Sequence, residues 1–145
     1  MYTIGEVSKL FNLPVSTLRY YDKEGFFPFL ERTNGIRKFS ETEIEALNII
    51  ECLKFAGLEI KDIKLFIDWC NQGPSTYSLR KELFKEKQAH LEEEMKQLEK
   101  YLAMVKFKSW YYDQAIIDGT EKKIQAKLPN NLPKDIQELY NLAHS

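Results

Sequence analysis

A chain of 145 residues that is 43% hydrophobic and 13% aromatic has enough apolar content for one compact core. Its apolar runs fall short of a membrane span and its first residues lack a signal-peptide pattern. With only Cys52 and Cys70, too few for a disulfide framework, this predicts a cytoplasmic protein with reduced thiols. A net charge of −1 and a pI of about 6.2 argue mildly against nucleic acid, but the charge is sorted along the chain. Over residues 9–38, Lys9, Arg19, Lys23, Arg32, Arg37 and Lys38 outnumber Asp22, Glu24 and Glu31; over residues 39–59, Glu41, Glu43, Glu45, Glu51 and Glu59 oppose only Lys54. The pattern is a local basic surface with an acidic back, and a protein with few phosphate contacts per subunit gains by binding as a pair.

Thr3-Ile4-Gly5-Glu6 has the form of a capping box, and Ile4, Val7, Leu10 and Phe11 follow at helical spacing. Asn12-Leu13 breaks that pattern. Pro14 then sits where a helix tolerates it, and a second helix over about Pro14 to Glu24 is closed by Gly25 in a left-handed stop. Two helices joined by so short a turn read as helix-turn-helix. Val15, Leu18 and Tyr21 are spaced to face the first helix, which leaves Ser16, Thr17, Arg19, Tyr20 and Lys23 outward. Short hydroxyls with Arg behind them suit a helix in a major groove, where Ser and Thr reach base edges and Arg takes guanine or a phosphate. Past Phe26, Phe27 and Pro28, Asn34-Gly35 is a strong hairpin signal because both residues accept positive φ. Arg32, Arg37 and Lys38 make that hairpin a wing laid on the DNA backbone.

These residues carry a resemblance. The order Tyr2-Thr3-Ile4-Gly5-Glu6-Val7, Thr17-Leu18-Arg19-Tyr20-Tyr21-Asp22, Gly25, Pro28, Arg32, Gly35, Arg37 and Phe39, continued through Leu53-Lys54-Phe55-Ala56-Gly57-Leu58-Glu59-Ile60-Lys61-Asp62-Ile63, resembles the winged helix-turn-helix of MerR-type transcription regulators. It spans roughly half the chain. Ile36 and Phe39 stand where the family pattern usually has Tyr, which removes hydroxyl contacts there. Glu59 stands where a Ser or Thr cap is usual, and its charge suits the positive end of a helix. The resemblance extends the DNA-contacting set to Tyr21 as well as Ser16, Thr17, Arg19, Tyr20, Lys23, Arg32, Arg37 and Lys38.

Ser40-Glu41-Thr42-Glu43 is a second capping box, opening a helix with Ile44, Leu47, Ile50, Leu53 and Ala56 that ends at Gly57. The next helix carries Ile60, Ile63, Ile67 and Cys70 and stops near Gly73-Pro74. Lys54, Lys61 and Lys64 near the junction read equally as a second phosphate grip or as solvated surface lysines.

No helix breaker occurs from about Thr76 to Ser109, so one long helix is expected. Phe84, Leu91, Leu98 and Val105 recur every seven residues, with Met95 and Leu102 four positions into two of those intervals. This narrow seam, flanked by Glu and Lys, reads as a dimerisation helix ahead of a helix packed on its own domain. The heptads leave the direction of pairing open; the MerR resemblance implies an antiparallel pair. In the tail, Trp110, Tyr111 and Tyr112 read either as the lining of a small-molecule pocket or, with more weight, as packing against the long helix. Asn131-Leu132-Pro133 opens a last short helix with Ile136, Leu139, Tyr140 and Ala143 on one face.

No nucleophile–base pair, phosphate loop or clustered metal ligands are visible; His90 and His144 are isolated, and Ser75 and Ser78 stand where metal-sensing relatives would place thiolates. The expectation is a non-enzyme without cofactor or metal. The chain is also similar to a branch of the MerR family that responds to aldehydes and other electrophiles, in placing a cysteine at Cys52 and in the segment Lys108-Ser109-Trp110-Tyr111-Tyr112. Against a sensor role, a free cysteine is usually an inert core residue, and Cys70 in its apolar row reads as core more strongly still.

The fold class is therefore mainly α: a winged helix-turn-helix DNA-binding domain over 1–73, a coiled-coil dimerisation helix over 74–109, and a helical effector or packing tail over 110–145. The resemblance implies a homodimer on a near-palindromic promoter operator, distorting the DNA for RNA polymerase when a small-molecule or electrophile effector acts. The alternative is an architectural, excisionase-like DNA binder with no effector.

Overall fold

The computed structural model describes residues 1–145 as helices α1 (Ile4–Phe11), α2 (Val15–Lys23), α3 (Glu41–Phe55), α4 (Ile60–Gln72), α5 (Tyr77–Asp118), α6 (Lys122–Lys127) and α7 (Lys134–Ala143), with strands β1 (Glu31–Thr33) and β2 (Ile36–Lys38). They form two compact units, Met1–Lys87 and Gln88–Ser145. No helix is long and apolar enough to cross a membrane.

The first unit is built on its caps. Thr3 accepts a hydrogen bond from the Glu6 amide at 3.1 Å, and Ser40 and Glu43 form the complete reciprocal box at the head of α3. Helix α2 ends as expected at Gly25, whose φ of 86° lets the Phe26 amide return to the Tyr21 carbonyl at 3.0 Å. The same closure brings the Tyr21 and Phe26 rings to 5.2 Å, so the cap and the core contact are one feature. Val7, Leu18, Phe26, Phe27, Phe39, Leu47, Ile50, Leu53 and Ile63 fill the interior. Leu10, expected on the inward row of α1, is instead exposed, because the short helix turns Val7 rather than Leu10 into the core. In α4 the inward row is Ile63 and Phe66; Cys70 lies beyond it and is exposed, which overturns its reading as core.

The hairpin pairs Glu31 with Lys38, Arg32 with Arg37 and Thr33 with Ile36. Asn34 and Gly35, at φ 52° and 79°, make the two-residue turn whose twist matches the strands. A further bridge, Tyr2 to Phe39, ties the start of the chain to the end of the wing.

A 3-10 turn at Pro74–Thr76 leads into α5. This helix continues to Asp118, nine residues beyond the expected end, and stops where Gly119 takes φ 67°. Trp110, Tyr111 and Tyr112 therefore belong to the long helix itself rather than to a separate tail. In the second unit, beyond Gly119, Ile124 of α6, Leu132 of the connecting segment and Ile136 of α7 pack around Phe107 and Tyr111.

Candidate nucleic-acid interface

Along α2, Leu18 and Tyr21 point inward, and Ser16, Arg19, Tyr20 and Lys23 are exposed, with Thr17 half-buried. Arg19 and Lys23 make no ion pair within the chain, and neither does Lys38 on the wing. These three cations are free to meet phosphates or bases.

The other wing cations are differently placed. Arg32 and Arg37 both donate to one oxygen, Oδ2 of Asp22, at 2.6 and 2.8 Å. Asp22 stands near the C-terminal end of α2, where the helix dipole disfavours an anion. That mismatch was the one signal in the sequence that Asp22 needed cationic partners. Sequence reasoning placed the arginines on the wing correctly but missed that the recognition helix holds them.

Tyr21 requires a correction. It is 1% exposed, and its hydroxyl donates to Glu51 at 3.1 Å while accepting from Lys54 Nζ at 2.5 Å, so its place is in the core under α2. Burial raises the Tyr21 pKa above its ordinary value, and the Glu51 carboxylate adds to this against the opposing Lys54. Burial works against the Lys54 charge, yet the bond to Tyr21 and the nearby Glu51 outweigh it and raise its pKa too. Lys54 also lies 5.3 Å from the Tyr21 ring centroid. Of the suggested second grip, Lys54 is half-buried and engaged with Tyr21 and Glu51, while Lys61 and Lys64 pair with Glu59 and Glu24 at 3.4 and 4.0 Å.

The sensor positions separate. Cys52 is exposed on α3, against its reading as a small core residue. Tyr111 is buried against Phe107, with ring centroids 6.0 Å apart, and Trp110 is partly covered in the same cluster. Tyr112 is exposed and turns its edge to Tyr111. On the seam, Met95, Leu98, Leu102 and Val105 are exposed, and Leu91 is half-buried. Phe84, assigned to the same seam, is 5.5 Å edge-on from Phe66 and partly serves the first unit's own core.

A recognition helix with unpaired polar and cationic side chains, backed by a hairpin clamped to it, is the geometry of a winged helix-turn-helix reader. Residues 2–68 match the pattern of the MerR HTH family regulatory protein. An uncharacterized HTH-type transcriptional regulator of Haemophilus influenzae is 31% identical over 134 residues, spanning 92% of this chain and 95% of that one. The chain belongs to the MerR family of transcriptional regulators.

Solved structures agree in fold. HiNmlR, described as a MerR family regulator lacking the sensor domain and bound to promoter DNA, superposes with a TM-score of 0.73 at 31% identity, covering 84% of this chain and 98% of that one. A MerR family regulator from Bacillus thuringiensis gives a TM-score of 0.66 at 44% identity over 74% of this chain and 95% of its own. With MerR-family relatives that are transcription regulators, the architectural, excisionase-like alternative is not favoured.

Proposed function

We propose that this MerR-family regulator acts as a homodimer on a near-palindromic promoter site, each α2 in a major groove with Ser16, Thr17, Arg19, Tyr20 and Lys23 toward the DNA and Lys38 on phosphate. The observation that carries the reading is the free outward row of α2, since nothing within the chain uses Arg19 or Lys23. The exposed apolar stripe of α5 supports the dimer: Met95, Leu98, Leu102 and Val105 recur at heptad spacing without intramolecular cover. Because α5 runs to Asp118, the heptad register extends to Tyr112 and Ile116, both exposed, and in this reading Tyr112 joins the seam.

In this reading the dimer spends phosphate-contact energy on bending and untwisting the promoter so that RNA polymerase can engage it, and the site of action is the cytoplasm, where the DNA is. HiNmlR, bound to promoter DNA, supports the DNA arm. Cys52 and Cys70 are both exposed, and Cys52 is the thiol that the resemblance to the electrophile-responsive branch points to.

Fluorescence anisotropy on promoter and random duplexes, beside sedimentation, tests the proposal. Two chains per complex are expected, with a clear preference for the promoter. Arg19→Ala should weaken promoter binding by about 1–3 kcal/mol if the side chain reads a base; an equal loss on random duplex reassigns it to phosphate. Cys52→Ser should abolish electrophile-induced transcription in vitro at unchanged operator affinity, and undiminished induction would remove Cys52 from the sensor role.

A further inference from the structure

We propose that Asp22 is a positioning residue for DNA recognition: its one carboxylate oxygen gathers Arg32 and Arg37, so that recognition helix and wing meet the duplex as a single rigid reader. The inference rests on the DNA-binding reading above, and it adds a role for an anion on the binding side.

Three observations converge. Arg32 and Arg37 are cross-strand partners in the hairpin, and like charges directly opposite one another destabilise a strand pair. The Asp22 oxygen, 2.6 and 2.8 Å from the two guanidinium groups, cancels that repulsion at its source. A two-stranded hairpin with three-residue strands is marginal by itself in water, so its orientation must come from what it leans on. Burial of Asp22 and Arg37, whose side chains are 13% and 22% exposed, makes this contact better shielded than the other ion pairs on the same unit. The more exposed Arg32 completes it.

The bond used by each arginine leaves most of its donors uncommitted, because a guanidinium carries more N–H groups than the single one given to Asp22. The remaining donors are held in a fixed plane and direction. Asp22 thus trades one unit of positive charge at the interface for a defined spacing between α2 and the wing phosphate contacts, which favours a correctly shaped site over random duplex.

The experiment is a salt series of anisotropy titrations with wild type, Asp22→Asn and Asp22→Glu on promoter and random duplexes, together with 15N spectra of the free proteins that follow the Arg37 Nε–H. Removing an anion near DNA, taken alone, tightens binding to both duplexes equally. Positioning predicts otherwise: Asp22→Asn loses about tenfold in promoter-over-random preference, its salt dependence steepens, and the Arg37 Nε–H signal loses its shift and its protection from exchange. Asp22→Glu recovers part of the preference. Equal tightening on both duplexes, or an Arg37 signal unmoved by Asp22→Asn, overturns the proposal. If Asp22→Asn fails to fold, Arg37→Lys, which keeps the charge but loses the Nε bond, should lower the preference without changing the salt slope, and an unchanged preference overturns the proposal too. Wild type that shows no promoter preference defeats the DNA-binding reading itself, whereas the Arg37 signal still reports on the clamp.

Discussion

The two units use the same composition in opposite ways. In Met1–Lys87 a large core gathers Val7, Leu18, Leu47 and Ile63, although Leu10 and Phe55 stay exposed, and the outer face of α2 is polar and cationic. In Gln88–Ser145 the interior is a smaller cluster around Phe107 and Tyr111, while Met95, Leu98, Leu102, Val105, Tyr112 and Ile116 stay in contact with water. The second unit leaves an apolar row of α5 uncovered in the single chain, and the proposed dimer would bury it. An apolar residue therefore means different things in the two places, and substitution separates these meanings.

The largest effect is expected in the first core. Leu47 is wholly buried, and Leu47→Ala should cost about 2–5 kcal/mol of stability, read by chemical denaturation at a cost independent of protein concentration. The seam should behave otherwise. Leu98 is 67% exposed in the single chain, so Leu98→Lys should leave its fold within about 0.5 kcal/mol. The same change should weaken dimerisation by about 1.5–3 kcal/mol per chain, the burial of one leucine from each subunit, seen as a shift toward single-chain mass in sedimentation. A Leu98→Lys chain that unfolds at every concentration would mean that the seam packs within its own subunit and the contrast between the units fails.

The contrast also explains what the sequence made legible. Caps and stops are local: Ser40 with Glu43, Gly25 and Asn34-Gly35 each act within a few residues, and each is realised as read. The fold class followed from them and from the periodicity of Val7, Leu18, Leu47 and Ile63. What escaped was non-local or depended on a competing face. Helix α5 contains no breaker before Gly119, yet its end was placed near Ser109, nine residues early. Cys70 shares helical spacing with Ile63 and Ile67, yet it is exposed near the end of α4. Tyr21 and Asp22 lie side by side in the most family-specific stretch, and both are engaged within the chain: one bonds Glu51 and Lys54, the other turns to the wing. A motif reports that residues belong together and leaves open which of them touch the ligand.

The smallest expected effect lies in the half-buried network of Tyr21, Glu51 and Lys54, and it distinguishes the units by pH. Tyr21 is held neutral by burial, and Lys54 is held charged by Tyr21 and Glu51 in spite of burial; both pKa values are raised in the folded state. For each group the protonated form is the one that the fold favours. Their contribution is therefore complete below the unfolded values and is lost as pH rises through the raised folded ones, in a window beginning above about pH 10. Stability of the first unit should be flat with respect to these groups at neutral pH and decline in that alkaline window. Tyr21→Phe removes the hydroxyl on which both shifts depend, so the variant should show a shallower alkaline decline in denaturation midpoints than wild type. An equal decline in the two proteins would place the alkaline sensitivity elsewhere, with Tyr111, whose pKa is also raised, chiefly by burial and then by Glu121, as the group in the second unit to test next.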